Sequence, residues 1–345
     1  MKTRCLPATE QSIALAAELI AAGEVVGMPT ETVYGLAANA LDNEAVRKIF
    51  AAKKRPADNP LIVHVSRMEM IPALILGEMP EVARRLAEVF WPGPLTMIMR
   101  KSASVAASVS PYLDTVSLRM PSHPVALALI EKAKLPLAAP SANRSGRPSP
   151  TKAAHVLEDM DGAIPLILDG GACEIGLEST VLDVTALPVR VLRPGAITPG
   201  MIAAVAGEAV VDERVLSPLS DGERPASPGM KYRHYAPQGE LTIVVGAPER
   251  ARRRMAALCE KAESEGKRCC LLALDEVLAH FPRWETHSLG ASEGDAARRF
   301  FDALREMDAR GVEVIVAQGF DATGVGLALM NRMARAAGFR ILDEG

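Results

Sequence analysis

Aromatic residues are scarce: two Trp, four Tyr and seven Phe in 345 residues. A core with so few rings must be filled by Ala, Val, Ile and Leu, which suits helices layered on a sheet. The basic residues also lack interleaved aromatics, which argues against stacking on single-stranded nucleic acid. Cysteine is sparse as well. Cys5, Cys173, Cys259, Cys269 and Cys270 are odd in number, irregular in spacing and form no C-x-x-C. Neither a disulfide framework nor a zinc site is indicated, and a reducing, cytoplasmic setting is expected. Net charge is nearly absent: 39 Lys and Arg against 42 Asp and Glu leave −3. Bulk attraction to nucleic acid is thereby excluded as the main theme, although a local basic face is not. The apolar N-terminal stretch is interrupted by Glu10, Glu18 and Glu24, so it reads as neither a signal segment nor a membrane span. The six histidines are dispersed without metal-ligand spacing, and no protein-held metal is expected. Walker, kinase, zincin, EF-hand and G-x-S-x-G patterns are all missing.

What is present is concentrated in residues 28–64, MPTETVYGLAANALDNEAVRKIFAAKKRPADNPLIVH. A polar turn, Pro29-Thr30-Glu31-Thr32, leads through an amphipathic segment to a basic knot, Lys53-Lys54-Arg55-Pro56. Asn59-Pro60 and a β-branched run ending in His64 follow. Periodicity predicts helices over 11–22, 43–53, 79–89, 123–134 and 198–206. Strands are expected over 25–28, 61–63, 96–100, 116–120, 137–139, 164–168, 181–184 and 189–192. Several of these strands follow one another directly, so a mixed sheet is expected. Lys53 and Arg55 fall at the end of the 43–53 helix, where cations suit the helix dipole and an exposed position is expected for both. Trp91-Pro92-Gly93-Pro94 reads as a structural corner. Arg119, inside a strand, is either an outward charge or a buried anion ligand.

Length favours two domains. Residues 1–206 form the first. Residues 207–239 lose periodicity and read as a linker, within which Ser227–Pro237 (SPGMKYRHYAP) has the composition of an ordered lid. From 240 to 345, strands 241–245, 269–274 and 312–317 alternate with helices 248–265, 292–310 and 325–337. That pattern is a small parallel α/β domain. Gly324-Val325-Gly326 does not complete G-x-G-x-x-G and reads as a helix start. Asn331 and Arg332 are either functional or solvated.

The chemistry-bearing residues of the first domain are Thr32, Lys53, Arg55, Asn59, His64, Thr115, Arg119, Ser141, Asn143, Ser149, Ser179 and Arg193. Cations and hydroxyls without an evident nucleophile suit phosphate-centred chemistry, in which positioning and charge neutralisation supply most of the rate.

PTETVYGLAANA, Lys53-Lys54-Arg55, NPLIVHV, WPGPLT, SLRMP, Ala139–Asn143 (APSAN), ESTV and RPG occur in this order. Together they resemble the L-threonylcarbamoyladenylate synthases, the YrdC-domain proteins, over about residues 8–206. The linker and trailing domain resemble the long form of that family. The resemblance implies a YrdC-like twisted mixed sheet with helices forming a basic concave pocket, plus a Rossmann-like C-terminal domain. It also implies a reaction: L-threonine, bicarbonate and ATP, with Mg2+ carried by ATP, give threonylcarbamoyl-AMP and pyrophosphate. A separate transferase would then pass the threonylcarbamoyl group to the adenosine beside the anticodon of certain tRNAs. By similarity, Thr32, His64, Arg119, Ala139 and Ser179 would hold threonine. Lys53, Arg55, Asn59, Thr115, Ser141, Asn143, Ser149, Arg193 and Tyr235 would hold ATP, with Lys53 and Arg55 also offsetting charge in the chemical step. The alternative reading is an RNA-binding module built on Lys53, Lys54, Arg55, Arg144 and Arg147, whose binding would weaken steeply with salt.

Overall fold

The computed structural model describes residues 2–56, 59–217 and 234–345. Its first unit begins with an edge strand, β1 (Arg4–Pro7), and α1 (Glu10–Ala21). Thr9 and Ser12 form a reciprocal capping box at the start of α1, while Ala16, Ala17 and Ile20 are buried. Next come β2 (Val26–Met28), β3 (Gly35–Asn39), α2 (Asn43–Lys53), β4 (Ile62–His64), α3 (Glu81–Phe90), β5 (Leu95–Arg100) and β6 (Thr115–Arg119). The unit is completed by α4 (Pro124–Ala133), β7 (Leu137–Ala138), α5 (Ala153–Met160), β8 (Leu166–Asp169), β9 (Thr180–Asp183), β10 (Val189–Arg193), α6 (Pro199–Ala206) and β11 (Ala209–Val211).

These strands form one mixed sheet in the order β1-β8-β2-β3-β7-β4-β6-β5-β9-β10-β11. Apolar side chains fill both its faces. Val46, Ile49, Leu61, Leu86 and Met97 belong to one cluster, and Ile20, Met28, Leu129, Ile130 and Leu166 to another. The register across its centre matters for function. His64 on β4 stands opposite Arg119 on β6, and Thr96 on β5 stands opposite Arg119 from the other side. Side chains opposite one another share a face of the sheet, so three polar residues are lined up at one level.

The second unit runs β12 (Glu240–Gly246), α7 (Pro248–Ser264), β13 (Cys269–Ala273), α8 (Asp275–Leu278), β14 (Thr286–Ser288), α9 (Glu293–Ala309), β15 (Val314–Gln318), α10 (Gly324–Ala336) and β16 (Ile341–Glu344). Its sheet, β14-β13-β15-β12-β16, is parallel throughout. The core of this unit extends into the first: Val33, Leu177 and Tyr235 pack with Phe300, Phe301 and Leu329. The backbones approach closely at Gly176, whose φ is +80° and where a Cβ would lie 2.4 Å from the Arg298 carbonyl oxygen. Only glycine suits both conditions. Among the described residues, no helix is long and apolar enough to cross a membrane.

The structure departs from the sequence expectation in several places. β1, β3, α5, β11, α8, β14 and β16 were not anticipated. The segment expected as linker from residue 207 opens instead with β11, which pairs parallel to β10 and extends the first sheet. Of the expected lid, residues 227–233 lie outside the described residues. Asn331 and Arg332 are not solvated: both are buried between the two units.

Candidate functional site

A cavity opens at the level of His64 and Arg119. It is walled by the 30–35 turn, the end of α2, the 139–146 loop, the Glu178-Ser179 and Arg193 segments, and His234-Tyr235.

One end is built on β6. Arg119 Nη1 donates to Thr32 Oγ1 at 2.9 Å, Nε donates to the Gly93 carbonyl at 3.3 Å, and Nη2 lies 2.7 Å from Glu31 Oε1. The corner at Trp91–Pro94 thereby supports the site, because Trp91 Nε1 donates to the Leu95 carbonyl at 2.6 Å and fixes Gly93 beneath the guanidinium. Arg119 is therefore a buried cation with an anionic partner, not an outward charge. Thr30 Oγ1 donates to the Val33 carbonyl at 2.6 Å and lies 2.9 Å from Thr32 Oγ1, which ties the turn. Burial acts to raise the Glu31 carboxyl, but the charge and hydrogen bonding of Arg119 outweigh it and hold the carboxyl below its ordinary value. Burial, then the Arg119 charge, push His64 down to about 3. At neutral pH this imidazole is uncharged, and its Nδ1 has no partner among the described residues.

The other end is cationic. Lys53 is not at an exposed helix end. It is 1 % exposed, and its ammonium donates to the Ser141 carbonyl, to the Asn143 carbonyl at 2.6 Å and to Asn143 Oδ1 at 3.4 Å. Lys54 takes the left-handed φ of 50° that ends α2, so Lys53 turns inward where the 140–147 loop folds back over it. Burial and then the Arg55 charge lower the Lys53 ammonium well below its ordinary pKa. Ser141 Oγ donates to Asn143 Oδ1 at 2.6 Å, and Asn143 Nδ2 donates to the carbonyls of Arg144 and Arg147 at 2.9 and 2.8 Å. Arg55 is only partly buried, and its Nη2 reaches the Asn59 and Pro60 carbonyls at 3.5 and 3.4 Å.

Between the ends stands Ser179. Its hydroxyl lies 2.8 Å from Thr96 Oγ1 and accepts from Arg193 Nη2 at 3.2 Å, while Arg193 Nε donates to the Ser179 carbonyl at 3.0 Å. Burial and then the Arg332 charge lower Arg193 to about 10, so it stays a cation. Tyr235 is buried against Phe301 with ring centroids 5.0 Å apart, and Ala236 N donates to the Gly146 carbonyl at 2.8 Å. This segment is thereby seated on the 139–146 wall.

The structure thus brings Thr32, Lys53, Arg55, His64, Arg119, Ala139, Ser141, Asn143, Ser179, Arg193 and Tyr235 onto one cavity. Three expected residues stand outside its lining. Ser149 lies behind Glu178, donating to its Oε1 at 2.5 Å. Asn59 is fully buried, with both side-chain polar atoms lacking partners among the described residues. Thr115 is at the opposite end of β6 from Arg119, facing Arg100 of β5. Sequence reasoning missed Glu31, Thr96, Glu178 and His234. Glu31 and Glu178 sit inside the PTET and ESTV motifs, and an acid fixed among hydroxyls was the available signal. Of the basic residues named for RNA binding, Lys53 is buried, Arg147 pairs with Glu158 and Asp159, and Arg144 Nε donates to the Asp159 carbonyl at 2.9 Å, while Lys54 and Arg144 remain exposed.

Chemically, a guanidinium flanked by hydroxyls and a neutral imidazole can hold a small zwitterion. Arg55 and Arg193, across the same space, can hold an anion such as a phosphate.

Comparison with known proteins agrees over nearly the whole chain. Residues 18–195 match the Sua5_yciO_yrdC family model, "Telomere recombination", and residues 197–338 match "Threonylcarbamoyl-AMP synthase, C-terminal domain". The chain is 47% identical over 333 residues to threonylcarbamoyl-AMP synthase of Pyrococcus abyssi, covering 96% of both chains. It is 47% identical over 342 residues to that of Bacillus subtilis, covering 98% of this chain and 96% of the other. It superimposes with a TM-score of 0.92 on the crystal structure of P. abyssi Sua5 complexed with L-threonine, at 46% identity over 100% of this chain and 99% of that one.

Proposed function

The chain belongs to the threonylcarbamoyl-AMP synthase family, and from that premise we propose how its cavity forms threonylcarbamoyl-AMP from L-threonine, bicarbonate and ATP. The observation that carries the reading is the pairing of two recognition ends in one cavity: Arg119, Thr32 and His64 at one, Arg55 and Arg193 at the other. Threonine's carboxylate goes to Arg119, and its side-chain hydroxyl goes to Thr32 and His64. A neutral His64 can exchange hydrogen bonds there without drawing the carboxylate away. Ala139 and Ser179 close the sides.

The amine of threonine captures bicarbonate, or the CO₂ derived from it, with loss of water, giving a carbamate. A carbamate oxygen then attacks the α-phosphorus of ATP, and the bond to pyrophosphate breaks. No covalent enzyme intermediate is needed. Arg55 and Arg193 offset the charge that develops on the phosphate oxygens. Lys53 serves chiefly through the 140–147 loop, whose Ser141 and Asn143 it holds at the nucleotide. A carbamate is short-lived in water, so the buried Tyr235 segment suits the chemistry by excluding solvent.

Among the described residues no group of three or more His, Cys, Asp or Glu is placed to hold a metal ion. Glu178, which lines the cavity, is occupied by Arg332 and Ser149. On this reading magnesium arrives with the triphosphate. The product would pass to a separate transferase acting on tRNA, in the cytoplasm. The test is pyrophosphate release from ATP, which is expected to require threonine and bicarbonate together. Equal release with threonine omitted would sink the assignment.

A further inference from the structure

Arg332 belongs to α10 of the second unit and is wholly buried, yet it is not itself part of the cavity lining. Nε donates to Glu178 Oε2 at 2.7 Å and Nη2 to the Glu178 carbonyl at 3.0 Å. Nη1 donates to the Pro194 carbonyl at 2.7 Å and to Asn331 Oδ1 at 2.8 Å. Asn331 Nδ2 in turn donates to the Val215 carbonyl, which fixes the helix against the end of the first unit. A guanidinium taken out of water costs several kcal/mol unless it is paired and hydrogen-bonded. Here every direction of the fork has an acceptor. Apart from Asn331, those acceptors lie on the two segments that carry Ser179 and Arg193.

Burial raises the Glu178 carboxyl, but the Arg332 charge and then the Arg193 charge hold it below its ordinary value, and Lys53 also feels it. Arg332 engages its carboxylate directly, whereas Arg193 points its Nε and Nη2 at Ser179. Take Arg332 away and a buried carboxylate is left with Ser149 and the nearest remaining cation, which is Arg193. The electrostatic gain would turn Arg193 toward Glu178 and away from the cavity.

We infer that Arg332 is a positioning residue for the nucleotide half of the site: it neutralises Glu178 and ties down Pro194, so that Arg193 stays aimed at the phosphates. The nucleotide half is taken from the reading proposed above. The second unit is then part of the active-site scaffold rather than an appendage.

The test is calorimetric binding of α,β-methylene-ATP and, separately, of L-threonine to the full chain and to Arg332→Met and Arg332→Lys. For Arg332→Met, nucleotide affinity is expected to fall at least tenfold while threonine affinity changes less than threefold. Arg332→Lys, which restores charge but not the span to Pro194, should fall between. Adding Glu178→Gln to Arg332→Met should recover at least threefold in nucleotide affinity, because the carboxylate that diverts Arg193 is gone. Unchanged nucleotide affinity in Arg332→Met overturns the inference, as does an equal loss for both ligands or no recovery in the double variant. If circular dichroism shows Arg332→Met unfolded, Arg332→Lys decides: a threefold or larger selective loss supports the inference and no loss overturns it. An unaltered chain that binds no nucleotide overturns both the inference and the proposed reaction. One that binds it but releases no pyrophosphate with threonine and bicarbonate overturns the reaction alone.

Discussion

Replacing Lys53 should be a folding lesion as well as a functional one. Its ammonium donates to the buried Asn143 carbonyl and the part-buried Ser141 carbonyl, and it also reaches Asn143 Oδ1. A buried acceptor left without a donor costs about 1–3 kcal/mol. The Asn143 carbonyl alone puts Lys53→Ala at about 1–3 kcal/mol, before counting the part-buried Ser141 carbonyl and the space left by the side chain. Arg55→Ala is the contrast. Its contacts to Asn59 and Pro60 are 3.5 and 3.4 Å long and part of the side chain is in solvent, so the cost should be smaller than for Lys53→Ala. Urea unfolding of the two variants measures this difference. Hydrogen exchange supplies a local readout, because Ser145 N donates to the Lys53 carbonyl at 2.9 Å and the 142–147 amides should exchange faster only in Lys53→Ala. Both variants should lose ATP-dependent pyrophosphate release, one by releasing the loop and the other by removing a phosphate contact. A Lys53→Ala protein within about 0.5 kcal/mol of the unaltered chain would refute the clamp and restore the solvated helix end.

Burial holds His64 at about 3 in the folded chain, against an ordinary value of 6.5. The unfolded chain therefore binds the extra proton between those values, and stability falls as pH drops below about 6.5, by about 1.4 kcal/mol per pH unit for this group. Urea melts at pH 7 and pH 5 should show His64→Gln losing about 2 kcal/mol less than the unaltered protein over that interval; parallel losses would exclude a neutral buried imidazole. Glu31→Gln leaves Arg119 buried without its anion and should cost about 3–5 kcal/mol. A carboxylate ligand would then replace the missing partner, so the rise in melting temperature on adding L-threonine should be larger in Glu31→Gln than in the unaltered chain. An equal or smaller rise would place the threonine carboxylate elsewhere than Arg119.

Much of the scaffold was legible because it is locally encoded. α1, α2, α4, α6 and the α/β alternation of the second unit follow from apolar periodicity with capping residues and helix stops. β3 was not legible: Gly35–Asn39 is GLAAN, with no β-branched or aromatic residue, and it is a strand because β2 and β7 pair with it on either side. β1, β11 and β16 are short edge strands whose partners are remote in sequence or cross a turn of chain that gives no periodic signal. The residues brought to the cavity came mostly from motif recognition, since their spacing alone left a solvated charge as good an explanation. Lys53 was misplaced for a physical reason. A lysine at a helix end is ordinarily solvated, and here only the distant 140–147 loop buries it. Glu31 adjoins Thr32 in the sequence, but what gives it a role is Arg119, a tertiary neighbour.

The same limit explains why the sequence alone leaves the role of the second unit open. Besides Glu31, which Arg119 of the same unit pairs, the first unit buries Asp159 and Glu178 near the cavity walls, with side-chain exposures of 0 % and 8 %. Each receives an arginine from the second unit: Arg305 Nη2 donates to Asp159 Oδ2 and to the Pro148 carbonyl, both at 2.6 Å, and Arg332 serves Glu178. Asp159 anchors the loop of Ser141 and Asn143 through Arg147, and Glu178 adjoins Ser179. A buried carboxylate without its cation either takes up a proton or pulls in another cation, and in this chain the cations nearest the cavity are the ones the proposed reaction uses. Arginines donated from α9 and α10 satisfy the carboxylates from behind. On the proposed reading, that arrangement leaves the cavity-facing cations directed at the substrates, and the two units act as one electrostatic system.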